Sequence, residues 1–251
     1  MSDYPPKITR TAAESGLGEI VGRYRQSVLW ELVYAVCFTV FGLICVLAGD
    51  EVGRWMGAVT LVLASPCYLT AWVKARRHLY LCSDGLLTTT AKTTVRIIRA
   101  WVDVVHLRVW TVRIYQQGGP QDIPRCVLVL EDGTKVNLAR PPYAKSEELI
   151  MALEQRLAPT IHARRTAEID EKGATEFGPI TITVEGVRDG DRFVRWTDIS
   201  QMERGRARLR IWSGWGRPVI SRQLRRIPDV RVLMTLVAEN VERHSEPLRE
   251  A

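Results

Sequence analysis

The sequence has few of the residue patterns from which active sites and metal centres are built. It contains four histidines, and none has a second ligand at metal-binding spacing. No serine or cysteine occurs in a recognisable nucleophile turn. Gly16-Leu-Gly18 with Gly22 comes nearest to a phosphate loop, but no strand precedes it, so we interpret it as a flexible segment. These absences argue against a hydrolase or transferase and predict a non-enzymatic protein without cofactor or metal.

Cysteine pairs are lacking as well. None of the five cysteines forms a C-x-x-C pair, and their spacing suggests no disulfide framework. Three lie in long apolar runs, and two lie in strand-like segments where a small buried hydrophobe is expected. The five are Cys37, Cys45, Cys67, Cys82 and Cys126. This usage fits a reducing compartment.

Charge is nearly absent from two long segments. Val28 to Gly49 has one charged residue in 22, and Trp55 to Val73 has none in 19. As helices they would be about 33 and about 28 Å long, and the hydrocarbon core of a bilayer is about 30 Å thick. The five residues between them, 50–54, can only connect antiparallel neighbours. The sequence therefore predicts a two-helix transmembrane hairpin over residues 27–73 in the lipid bilayer.

Basic residues flank the predicted hairpin on one side. Seven of them precede or follow it, against Arg54 alone in the tip: Lys7, Arg10, Arg23, Arg25, Lys74, Arg76 and Arg77. The positive-inside rule places both termini of this multi-pass plasma-membrane protein in the cytoplasm. Residues 1–26 are then a cytoplasmic N-terminal segment. Glu31 lies only three residues into the first span, where its carboxylate is expected to reach the headgroups.

Beyond the hairpin, short alternating segments rich in Val, Ile, Thr and Trp indicate strands. Two such series each end in an amphipathic helix, which is the order of a pleckstrin-homology-like (PH-like) domain. We therefore predict a membrane-anchored α+β protein with two small PH-like β-barrel or sandwich domains, each closed by a C-terminal helix. Their ranges are 78–158 and 175–245, with a polar linker at 159–174 and a tail at 246–251. Residues 116–124 are expected to form a loop, and 178–184 a single strand.

A Trp-x-Asp motif occurs once in each series. It contributes Trp101 and Asp103 to IRAWVDVV, and Trp196 and Asp198 to FVRWTDIS. Apolar alternation surrounds both copies, which favours a structural repeat over an active site. We expect each Trp to be buried beneath the closing helix and each Asp carboxylate to cap the following turn. The branched residue that follows, Val104 or Ile199, is expected to re-enter the core.

Several segments carry a resemblance to a known family. They are Leu79-Tyr-Leu-Cys-Ser-Asp-Gly85, Phe177-Gly-Pro179, Trp196-Thr-Asp-Ile199 and Pro228-Asp-Val-Arg-Val-Leu233. In these, the chain resembles uncharacterised bacterial two-pass membrane proteins with duplicated PH-like cytoplasmic domains. The resemblance covers most of residues 27–245. It implies an architecture and brings no catalytic or ligand-binding residues with it.

The region after the hairpin is basic. Residues 74–251 hold 30 of the 35 Lys and Arg and 22 of the 28 Asp and Glu, a net charge of +8. In a strand, Arg206, Arg208 and Arg210 would share one face over about 13 Å. Such a ladder fits anionic lipid headgroups, at about 1 kcal/mol per basic residue near the surface. The competing interpretation is a strand face charged for solubility and edge protection. Nucleic acid is disfavoured, because no exposed aromatics for base stacking accompany the ladder.

Together these features predict a membrane-anchored adaptor or scaffold. Its tandem PH-like domains would bind a protein partner or an anionic lipid surface in the cytoplasm. The alternative is a regulatory or gating subunit of an oligomeric channel or transporter. For that alternative, small residues in the second span would allow close helix packing and a homo-oligomer: Gly57, Ala58, Ala64 and Ser65.

Overall fold

The computed structural model describes residues 4–90, 94–116, 119–138, 143 and 145–245. It is an α+β fold with an N-terminal pair of apolar helices and four antiparallel sheets. The chain divides into two compact units, residues 1–101 with 141–145, and residues 102–140 with 146–251. The division thus falls inside the first predicted domain rather than in the predicted linker.

A four-stranded antiparallel sheet forms the first unit, in the order β1-β2-β3-β4. Its elements are α1 (Pro6–Glu14), β1 (Ile20–Arg25), β2 (His78–Cys82), β3 (Gly85–Thr89) and β4 (Val95–Ala100). Helix α1 buries Ile8 and Ala12 in one cluster with Tyr80 and Leu87. The segment predicted to be flexible is therefore folded. Gly18 turns the chain into β1 at φ 72°, where a Cβ would lie 2.7 Å from the Ser83 hydroxyl.

Two apolar helices are inserted between β1 and β2. They are α2 (Leu29–Ala48) and α3 (Glu51–Ala75), and both are long and apolar enough to cross a membrane. Strands β1 and β2 are neighbours in the sheet, with Arg25 paired to His78. The hairpin therefore leaves and re-enters the same end of one strand pair. At this open end Lys74 donates a hydrogen bond to Glu31, so the one acidic group of the first apolar run has a cationic partner.

Small residues form the contact between α2 and α3. The buried positions recur every seven residues: Ala35 and Gly42 on α2, and Gly57, Ala64 and Ala71 on α3. A Cβ at Gly57 would lie 2.6 Å from the Gly42 carbonyl oxygen, so the two backbones nearly touch. The sequence suggested four small residues of the second span for contacts in a homo-oligomer. Two of them, Gly57 and Ala64, pack against α2 within the same chain, whereas Ala58 and Ser65 are exposed.

Replacing Gly57 with leucine is expected to destabilise the hairpin by about 1–3 kcal/mol, because the side chain must displace backbone atoms of α2. Denaturation of the detergent-solubilised chain would measure the change. Ala58→Leu is the matched control, since Ala58 is exposed on the same helix and should change stability little. Equal effects at both positions would contradict this packing.

The second unit begins with a long hairpin. Its sheet has the order β5-β6-β7, from β5 (Val104–Gln116), β6 (Gly119–Leu130) and β7 (Lys135–Asn137). The prediction of a loop at 116–124 is wrong for residues 119–124, because Thr111 pairs with Pro124 and the ladder continues to Gly119; residues 117 and 118 lie outside the described residues. Cross-strand pairing of two long strands outweighs the local turn signals of that segment.

Helix α4 (Ser146–Lys172) runs through the region predicted to be a polar linker. Its buried residues continue past Pro159 at helical spacing: Leu149, Ile150, Leu153, Leu157, Ile161 and Arg165. Packing along this stripe keeps the chain helical although Pro159 removes one backbone donor. Residues 159–172 are therefore the second half of a helix that buries Ile161 and Arg165.

Two more sheets and a last helix complete this unit. The first has the order β11-β10-β9-β8, from β8 (Ala174–Phe177), β9 (Ile180–Thr183), β10 (Gly186–Asp189) and β11 (Arg192–Arg195). The second joins β12 (Gln201–Arg204), β13 (Arg208–Trp212) and β14 (Ile220–Gln223), and α5 (Val230–Ser245) follows. The strand predicted at 178–184 is confirmed as β9, but it begins only at Ile180, because Gly178 at φ 67° and Pro179 form the turn between β8 and β9.

The same order of elements occurs twice along the chain. A four-stranded sheet, a 3₁₀ turn that carries Trp-x-Asp, a three-stranded sheet and a helix follow one another in each series. Strands β1 and β8 open the two series. Where the second series has the turn at Gly178-Pro179, the first has the whole α2–α3 hairpin. The apolar hairpin thus occupies the position of a strand connection.

Candidate anion-binding groove

Each tryptophan of the repeated motif is hydrogen-bonded to the turn that precedes the third strand of its sheet. The Nε1 of Trp101 donates to the Ser83 carbonyl at 2.9 Å, and that of Trp196 donates to the Val184 carbonyl at 2.9 Å. Both indoles are buried, at 7 % and 1 % exposure. The ring of Trp196 also lies 6.5 Å from that of His244 in α5. These contacts are structural in kind, because the polar edge of each ring is used within the fold.

A glycine follows each of those turns for the same physical reason. A Cβ at Gly85 would lie 2.4 Å from the Arg99 carbonyl oxygen, and one at Gly186 would lie 2.2 Å from the Val194 carbonyl oxygen. The strand that leads to each tryptophan therefore passes too close for any side chain. In each sheet the glycine thus makes room for the strand that leads to the tryptophan.

The two aspartates of the motif differ from expectation. Asp198 Oδ1 accepts a hydrogen bond from the Thr197 hydroxyl at 3.3 Å and is exposed. Among the residues that the structure describes, no hydrogen bond joins the carboxylate of Asp103 or Asp198 to the following turn. The backbone closes that turn itself, as in the bond from the Ile199 N–H to the Trp196 carbonyl.

The predicted arginine ladder is not a ladder of three. Strand β13 begins at Arg208, and Arg206 lies in the bend before it. The Gly205 N–H donates to the Arg208 carbonyl at 2.9 Å and closes the β12–β13 hairpin around Arg206 and Ala207. Pairing with β12 thus places the turn where the sequence pattern alone indicated a strand. Only Arg208 and Arg210 occupy alternate positions of β13.

The three arginines also differ in their partners. Arg206 Nη1 lies 3.5 Å from Asp122 Oδ2, and Arg210 Nη1 lies 3.9 Å from Glu203 Oε2. Arg208 contacts no carboxylate in the described chain; it donates from Nε to the Ser221 hydroxyl and from Nη2 to the Ser221 carbonyl, at 3.0 and 3.1 Å. These bonds fix the Arg208 guanidinium without neutralising it.

Arg208 lines an open groove of about 410 Å³. Its walls come from β5 on one side and from β13 with the bend before it on the other. The end of β14 and the turn that follows it complete the lining. The lining residues are Trp110, Thr111, Val112, Arg113, Ala207, Arg208, Gln223 and Arg225. Three of them are arginines and none is acidic, so the groove is a positively charged concave surface.

One carboxylate stands beside this groove. Arg113 donates to Asp122 from Nε at 2.9 Å and from Nη2 at 3.2 Å. The hydrogen bond from Arg113 lowers the pKa of Asp122, and the charge of Arg206 contributes in the same direction. Asp122 is thus an anion shared by Arg113 and Arg206, whereas Arg208 and Arg225 face the groove without a carboxylate partner in the described residues. Positive charge in a concave site concentrates anions.

A buried polar cluster lies elsewhere in the second unit. Asp229, at the start of α5, accepts from the Leu107 N–H at 2.6 Å and contacts His106 Nδ1 at 2.8 Å. Arg165 of α4 lies 3.6 Å from the same carboxylate and 2.7 Å from Glu168. The Asp229 side chain has no exposed surface, and every oxygen is used. The cluster therefore ties β5, α4 and α5 together instead of facing a substrate.

The sequence analysis did not predict this cluster, and of the groove it singled out Arg208 but not Arg113 or Arg225. His106 and Asp229 are 123 positions apart, and Arg113 joins Arg208 only through the fold. No local spacing signals either set. Within the described residues, no group of three or more His, Cys, Asp or Glu side chains is placed to hold a metal ion.

Comparison with known proteins identifies a family. Neither the curated proteins nor the solved structures include a significant match. The model of a family of unknown function, DUF6585, matches residues 4–246. That range includes every helix and strand from α1 to α5. The chain therefore belongs to the DUF6585 family.

Proposed function

We propose that the protein is a non-enzymatic adaptor, anchored in the plasma membrane by α2 and α3, that presents two PH-like modules to the cytoplasm. One observation carries this proposal: an apolar hairpin with an exposed surface is inserted between two paired strands of a folded sheet. In this proposal the hairpin anchors the chain and also connects two paired strands of the first module.

The exposed surface of α2 and α3 supports the anchoring. Only 11 % and 17 % of their most apolar 18-residue windows are buried. A core helix of a water-soluble protein buries its apolar face, whereas here Phe41, Leu47 and Val62 all point outward. Such a surface is suited to contact with lipid.

The junction between hairpin and sheet supports the proposed orientation. Because α2 and α3 meet the same strand pair, the first sheet must lie on the side of the membrane where both helices end. Basic residues gather there, at Arg23, Arg25, Lys74, Arg76 and Arg77, against Arg54 at the tip. The Arg76 guanidinium lies 3.5 Å from the Trp72 ring, an arrangement suited to the interface. The positive-inside rule makes that side the cytoplasm.

The repeated order of sheets and closing helices supports the PH-like modules. Each series ends in a long helix, α4 or α5, after seven antiparallel strands. The positively charged groove supports binding of an anionic partner, and this adaptor role needs no catalytic group.

Reporter fusions to the full chain test the anchor and its orientation. Green fluorescent protein and alkaline phosphatase are attached in turn at the C-terminus and between Gly49 and Asp50, in the connection between α2 and α3, in a bacterial host. We expect fluorescence without phosphatase activity at the C-terminus and the reverse at the hairpin tip. Release of the chain from membranes by alkaline carbonate, or the same reporter pattern at both positions, would refute the proposal.

A further inference from the structure

We propose that the groove between β5 and β13 binds the phosphate group of a small organic phosphate ester. This inference rests on the proposed function in one respect, since it takes the groove to face the cytoplasm. It names the chemistry of the partner that the adaptor recognises. The site differs from the arginine ladder of the sequence, because it includes Arg113 and Arg225 and omits Arg210.

The charge of the groove requires an anion. Four guanidinium groups line or border it, and Asp122 pairs with two of them, Arg113 and Arg206. The four belong to Arg113, Arg206, Arg208 and Arg225. Arginine binds phosphate through two parallel N–H bonds, and several arginines around one concavity match its three or four oxygens.

Two of the arginines are already held in place. Arg113 is fixed by two bonds to Asp122, and Arg208 by two bonds to Ser221. A cation that is ordered before binding loses little side-chain entropy when the ligand arrives. An arginine kept only for solubility needs no such support. Arg204 and Arg222 are held as well, but by the carboxylates of Glu154 and Asp189, whereas Ser221 holds Arg208 and leaves its charge in place.

The size and walls of the groove favour an ester over the bare ion. Its volume of about 410 Å³ falls in the range of small-molecule sites. Trp110 and Val112 supply apolar surface beside the guanidinium groups, and Thr111 and Gln223 supply hydroxyl and amide groups. These residues suit an organic body attached to the phosphate. That chemistry is shared by a phospholipid headgroup and a soluble phosphate ester.

The experiment uses the full chain in phosphatidylcholine nanodiscs at physiological salt. In one arm, calorimetry measures the binding of glycerol 3-phosphate, with inorganic phosphate and sulfate for comparison. In the other arm, hydrogen exchange of segments 108–113 and 206–225 is compared between phosphatidylcholine and phosphatidylglycerol nanodiscs. Arg208→Gln with Arg225→Gln removes two charges from the groove. The matched control, Arg210→Gln with Arg217→Gln, removes two charges outside it.

We expect the groove variant to lose binding by roughly tenfold or more and the control by less than twofold. Saturable binding of glycerol 3-phosphate identifies a soluble source. Protection only in phosphatidylglycerol, without soluble binding, identifies the headgroup. Both support the site, provided that the groove variant alone loses the signal and retains its thermal unfolding temperature.

Three results would overturn the site. The first is the absence of a signal in both arms, the second an equal loss in both double variants, and the third binding of sulfate as tight as that of the ester. Calorimetry with glycerol 3-phosphate measures binding to the groove in either orientation of the chain in the nanodisc, because the ligand is present on both sides. A failed reporter test therefore refutes the adaptor's orientation and leaves the groove to be judged on its own measurement.

Discussion

Replacing Asp229 with alanine is expected to lower the free energy of unfolding by about 3 kcal/mol, because it removes one of the two carboxylates that neutralise the buried Arg165 guanidinium and leaves only Glu168. The Leu107 N–H also loses its acceptor, and α5 loses its tie to β5. Chemical denaturation in detergent, followed by circular dichroism, measures the change.

Two variants separate charge from backbone conformation at this position. Asp229 has a φ of 51°, which asparagine adopts more readily than alanine does. Asp229→Asn keeps an oxygen for the Leu107 N–H but replaces the oxygen that faces Arg165 and His106 with an NH2 donor, and it should still cost less than alanine. Asp198→Ala is the control, because that carboxylate is exposed and should change stability by no more than about 0.5 kcal/mol. A loss at Asp229 no larger than at Asp198 would show that the cluster does not hold the unit together.

Replacing Trp196 with alanine is expected to cost about 3–5 kcal/mol as well, through the cavity that it leaves beneath α5. Trp196→Phe restores most of the apolar contact but removes the Nε1 donor to Val184, which should cost about 1 kcal/mol. The same denaturation measurement applies to both variants.

Trp215 provides the matched control for Trp196. It lies in the loop between β13 and β14 and is fully exposed. Trp215→Ala should therefore leave stability within about 0.5 kcal/mol of the original. If Trp196→Ala behaved like Trp215→Ala, the motif would not be part of the core, and its repetition would need another explanation.

Local patterns in the chain predict the elements whose stability is local. The two apolar runs are visible because about 20 successive residues avoid charge, and helices α2 and α3 follow them closely. The Trp-x-Asp motif is recognised as buried because apolar residues alternate around it. By contrast, α1 and β1 were missed, since β1 is a short strand whose partner β2 lies beyond the whole hairpin.

Errors arose where a distant contact outweighed a local signal. Pro159 suggested the end of a helix, but buried residues on both sides of it keep α4 continuous to Lys172. Residues 116–124 suggested a loop, but residues 119–124 pair with β5 as a strand. Gly205 closes a hairpin at Arg206, so the register of β12 against β13 divided the arginine ladder.

By itself, the sequence determined the apolar hairpin, its basic flanks and the two strand-rich series with buried tryptophans, because each depends on composition or on neighbours within a few residues. Only the tertiary structure decided that the hairpin lies between paired strands and that Asp229 meets Arg165. It alone also decided that Arg113 and Arg225 join Arg208 around a groove. These arrangements depend on strand pairing and helix packing between residues far apart in the chain, for which no local pattern carries a signal.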